Sequence, residues 1–107
     1  MEVRFYETPA GSRPVQKYLA TLSDRERAAV AESLTAIERD GFKAAGVEFR
    51  QVRGKLWEVK ASQQRLFYVV IEGPVMVLLE AVKKQGRRAR PQDIAVAEKR
   101  MREALSG

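Results

Sequence analysis

GKLWEVKASQQRLFYVVIEGPVMVLLEAVKK, residues Gly54 to Lys84, holds three apolar segments (LWEVKA, RLFYVVIE and VMVLLEAV) separated by short polar or Gly-Pro breaks. Trp, Tyr, Phe and Val dominate the segments, a composition suited to a pleated and largely buried surface. The SQQ and Gly73-Pro74 breaks are turn chemistry. Periodicity alone does not separate such runs from buried helix. Their shortness and their β-branched and aromatic content predict an antiparallel meander.

Alternation along a strand sorts its side chains onto two faces. Leu56, Glu58 and Lys60 then share one face of the first strand, and Trp57 and Val59 the other. Trp57 therefore reads as core rather than as a platform for stacking bases. On the second strand Arg65, Phe67, Val69 and Ile71 oppose Leu66, Tyr68 and Val70. A turn at SQQ pairs the strands and brings Lys60 beside Arg65. Like charges placed together on a sheet repel. They are either solvated turn residues or an anion site on the open side of the sheet.

Outward from the meander, Glu2–Thr8 alternates Val3 and Phe5 against Arg4 and Tyr6, the pattern of a first strand ended by Pro9 and Gly11. Pro14 suits the opening of a helix whose apolar stripe is Val15, Tyr18, Leu19 and Leu22. Ser23-Asp24-Arg25-Glu26 has the form of a capping box and starts a second helix, with Val30, Leu34 and Ile37 on its stripe and Gly41 as its stop. FRQVR (49–53) is a short strand or a connector. Pro91 opens a last helix, with Asp93 near its positive end and Ile94, Ala97, Met101 and Leu105 along one side. The expected fold is α+β over residues 1–107 as one domain. An N-terminal strand and a helical hairpin pack on an antiparallel sheet of about four to five strands, followed by a C-terminal helix.

The 107 residues contain no cysteine and no histidine. Disulfide scaffolds, thiolate or imidazole metal sites and histidine-based nucleophiles are excluded, and no metal or cofactor is expected. Acid–base work falls to Lys, Arg, Tyr, Asp or Glu. No apolar run is long enough to span a bilayer as a helix, and MEVRFYETP lacks the apolar centre of a signal peptide. A cytoplasmic location with no membrane partner is the expectation. Twenty basic residues against 14 acidic ones leave +6, which suits a polyanionic partner. Lys83, Lys84, Arg87, Arg88 and Arg90 fall within the run KKQGRRAR. A charge run of this kind is ordinarily a solvated loop. Here it continues the basic edge of the meander, and Gly86 and Ala89 leave it room to fold over a backbone. Lys60, Arg65, Lys83 and Lys84 are expected to line one concave side, with Arg87, Arg88 and Arg90 at its rim and Arg53 and Lys55 as further RNA contacts.

Leu56-Trp57-Glu58-Val59-Lys60, Arg65-Leu66-Phe67-Tyr68, Ala81-Val82-Lys83-Lys84 and the helix from Pro91 through Ile94 to Ala97 resemble the motifs of the RelE/ParE toxin superfamily, in its HigB or phage Gp49-like branch. The resemblance covers about the last half of the chain. It implies a toxin of a type II toxin–antitoxin module, partnered by a cognate antitoxin that is a HigA-like helix-turn-helix protein. It further implies an mRNA endoribonuclease acting at the ribosome, through metal-free attack of a ribose 2′-hydroxyl on the adjacent phosphate. On that reading Arg65 and Lys60 stabilise the developing charge and Lys83 or Lys84 holds the leaving side. Glu58 or Tyr68 is left as proton acceptor. Ala81 stands where the family usually carries Phe, and the histidine or late tyrosine of several mRNA-cleaving relatives is absent. A gyrase poison of the ParE kind and a non-toxic RNA- or ribosome-binding module are the alternatives.

Overall fold

The computed structural model describes residues 1–106, so the last residue of the expected 1–107 domain, Gly107, lies outside the described residues. Strands β1 (Glu2–Phe5), β2 (Glu48–Arg53), β3 (Leu56–Ala61), β4 (Gln64–Ile71) and β5 (Val75–Lys83) form one sheet in the order β1-β5-β4-β3-β2. The helices are α1 (Pro14–Ala20), α2 (Asp24–Asp40) and α3 (Pro91–Ser106). The α+β expectation holds in its element order. FRQVR resolves as strand, within β2. The sheet differs in one respect: β1 lies parallel to β5, so the sheet is mixed. No hairpin joins β1 to β5, so nothing forces them antiparallel: the two helices carry the chain from β1 to the far edge, where β2 begins, and the meander brings β5 back beside β1.

Alternation divides the core in two. Val59, Ala61, Leu66, Tyr68, Met76 and Leu78 pack under α1 and α2, against Val15, Val30 and Ile37. Leu56, Phe67, Val69, Val75, Val77 and Leu79 pack on the opposite face under α3, against Ala97, Ile94 and Met101. The sheet is thus sandwiched between helices, and the face expected to be open is covered by α3.

Local chemistry sets the element ends. The Ser23 hydroxyl accepts from the Glu26 amide at 3.2 Å and donates to its carboxylate at 3.0 Å, closing the first turn of α2. Gly41, at φ 62°, ends the helix in a conformation that a Cβ disfavours. Only Ser62 and Gln63 make the β3–β4 turn. Gln64, expected as a turn residue, is instead the buried first residue of β4. It accepts a hydrogen bond from the Tyr18 hydroxyl, and its amide donates to Glu26 at 3.3 Å, tying both helices of the hairpin to the sheet. A bulge in β5 opposite Phe67 and Tyr68 frees a carbonyl at Leu79, and Arg100 of α3 donates to it at 3.0 Å while also reaching Glu80 at 3.1 Å.

Candidate nucleic-acid interface

The register pairs Lys60 with Arg65, Glu58 with Phe67, and Arg50 with Glu58. Directly opposed residues share a face, so Arg50, Glu58, Lys60 and Arg65 all stand on the α3 side of the sheet, at the end nearer the Ser62–Gln63 turn. The Lys84 amide donates to the Gln63 carbonyl at 2.8 Å, which carries the same register one step past β5 and places Lys84 on that face too. Lys83 does not join them. It pairs with Gln64, and alternation puts it on the hairpin side. Arg53 and Lys55 sit at the other end of β3, roughly 15 Å from Lys60 at strand rise. There Arg53 faces Glu98 at 3.4 Å.

The expectation of an accessible Arg65 is corrected by its burial. Its side chain is 2% exposed, as is that of Glu58, and Nη1 lies 2.9 Å from Oε2. The N–H does not point along that line, so the contact is a charge pair without an aligned hydrogen bond. The other terminal nitrogen donates to the Gly86 carbonyl at 3.3 Å. Arg50 does the same one residue on, donating to the Arg87 carbonyl at 3.1 Å. Two guanidinium groups rising from the sheet thereby hold the backbone of the 84–90 loop by its carbonyls. Lys84, Arg87 and Arg88 are exposed around this closure, and Lys60 is half-buried beside it. Arg90 is paired with Asp93 at 3.0 Å across the first turn of α3.

The resulting surface carries several unneutralised cations on a backbone anchored from below, which suits the phosphates of a nucleic-acid strand. Of the two proton acceptors considered, Glu58 is enclosed by Arg65. Tyr68 is buried on the hairpin face, where desolvation pushes its phenol well above the usual range. Among the described residues no three acidic side chains converge in a way that would hold a metal ion, and no helix is long and apolar enough to cross a membrane. Arg50 was missed by sequence reasoning. Its signal was available: once FRQVR is taken as a strand beside LWEVKA, alternation aligns Arg50 with Glu58.

Residues 17–102 match the profile of the family described as phage derived protein Gp49-like. The chain belongs to that family. Gp49-like proteins are of the RelE/HigB toxin type, so a toxin role in a toxin–antitoxin pair and an antitoxin partner follow for this chain. The match to the Gp49-like profile begins inside α1 and runs to the last turns of α3, so it takes in both faces of the sheet and the whole basic loop. No curated protein matches the chain.

Proposed function

We propose that this toxin acts on mRNA at the ribosome, cutting it by attack of a ribose 2′-hydroxyl on the adjacent phosphate. The attacking hydroxyl gives up its proton, the 5′-oxygen leaves and takes one up, and the phosphate closes onto the ribose. The observation that carries the reading is the gathering of Lys60, Lys84, Arg87 and Arg88 around a loop clamped by Arg50 and Arg65. Lys60 and Lys84 contact the reacting phosphate and offset its growing charge. Arg87 and Arg88 hold the flanking strand. Arg65 acts as a positioning residue through the Gly86 carbonyl. Glu58 shares the face of Lys60 and Arg65, and it serves as acceptor once the loop lifts and Arg65 turns away.

The test is induced expression in a bacterial cell, with translation followed by label incorporation and transcript ends mapped by primer extension. Wild-type toxin is expected to stop translation and leave cut transcripts. A Lys60→Ala, Lys84→Ala double variant is expected to keep its fold and lose cutting by on the order of a hundredfold. Arg65→Ala is a poorer probe than its motif suggests, because it leaves the Glu58 charge buried and unpaired at a cost of about 3–5 kcal/mol. Filamentation with DNA damage and intact translation would sink the proposal in favour of a gyrase poison. A second reading has one observation in its favour: Glu58 is already engaged by Arg65, which suits a module that binds RNA without cutting it. Slowed translation with intact transcripts identifies that case.

A further inference from the structure

Phe42, Trp57, Val70 and Leu105, four of the five most exposed large apolar side chains among the described residues, converge on one groove of about 610 Å³. Phe49 and Tyr68 join them in its lining. Phe42 meets Phe49 edge-on at 5.1 Å, and Phe49 meets Tyr68 edge-on at 6.3 Å, so the aromatic surface is packed and pre-formed. The groove occupies the hairpin face of the sheet at its Gly54–Lys55 end, and no residue of α1 or α2 lines it. Trp57 and Val70 stand there 36% and 38% exposed on strands whose other residues on that face are buried. Scattered apolar side chains on a surface are ordinary, whereas a contiguous set in a concavity marks a docking site.

Charge narrows the occupant. Lys55 is the charged residue in the lining, and Lys43 follows Phe42 directly. Neither is within ion-pair distance of a carboxylate among the described residues. We propose that the groove is the docking site of the antitoxin, through a segment that inserts two or three large apolar side chains and flanks them with carboxylates facing Lys55 and Lys43. Trp57 is its central anchor, a large aromatic that the docked segment desolvates. The inference rests on the antitoxin partnership and not on RNA cleavage. The groove lies on the opposite face and at the opposite end of the sheet from Lys60 and Lys84, so the two surfaces are separable by mutation.

The experiment measures binding of the purified toxin to the purified product of the small reading frame adjoining its gene, by calorimetry. Trp57→Ala and Val70→Asp are each expected to weaken the complex by on the order of a hundredfold, with melting curves close to wild type. Lys55→Glu is expected to weaken it by about tenfold, through repulsion of the flanking carboxylates. The distant Arg87→Ala, Arg88→Ala pair is expected to bind within about threefold of wild type. Transcript cutting by Trp57→Ala and Val70→Asp should stay at the wild-type level, so a failure of the RNA reading leaves this measurement intact. Wild-type affinity in the folded Trp57→Ala and Val70→Asp variants overturns the proposal, as does failure of the neighbour to bind wild-type toxin. Sedimentation of the toxin alone closes the remaining route: a dimer that Val70→Asp converts to monomer gives the groove to a second copy and overturns it too.

Discussion

Tyr68 and Arg65 are three residues apart on one strand and face opposite ways, and both are buried polar groups with unfinished business. The Tyr68 hydroxyl has no hydrogen-bond partner in the protein, and a buried unsatisfied group costs about 1–3 kcal/mol. Tyr68→Phe should therefore leave toxicity unchanged and raise Tm by about 4 °C or more, read by thermal denaturation. Burial also fixes the sign of an alkaline effect. Desolvation raises the phenol's pKa, so the native state holds its proton more tightly than the unfolded chain does. The associated stability is complete below the unfolded value of about 10 and is lost as pH climbs above it. The Tyr68→Phe variant should lose less stability over that alkaline range, followed by urea unfolding at stepped pH. Arg65 shows what the residue pattern withheld. Its pairing with Lys60 was legible from the short turn and the alternation. Its partner was not, because a long guanidinium reaches diagonally, and it lies on Glu58, two register pairs along.

At the scale of elements, helix boundaries were legible because they are set by neighbours in sequence. Ser23 caps and Gly41 stops α2 as their chemistry predicts. Ser23→Ala should cost about 1 kcal/mol, measured as a lowered urea midpoint with an unchanged slope. The sheet was legible less completely. Alternation separated the two faces of β3 and β4, yet whether a face is open depends on where α3 returns, and that is a long-range outcome. The same limit left β2 undecided between strand and connector, because EFRQVR, an edge strand, carries only Phe49 and Val52 as apolar residues. It also hid the groove. Leu105 continues the α3 stripe in sequence, but the helix runs past the edge of the core, so Leu105 lands beside Trp57 and Val70.

The whole molecule separates its surfaces: cations gather at one end of the sheet, and apolar side chains at the other on the reverse face. Binding of a single-stranded RNA through Lys60, Lys84, Arg87 and Arg88 should weaken with added salt, with a log–log slope of about −3. Arg87→Ala with Arg88→Ala should flatten that slope by about 1.4, whereas Trp57→Ala should leave it alone. The strand order has a temporal meaning as well. The first strand of the chain completes its ladder only against β5, so residues 2–5 wait for residues 75–83 to be made. While the ribosome is still translating, the nascent polypeptide has no partner for its own beginning and no α3 to close the second face. That interval is open to an antitoxin already present in the cell.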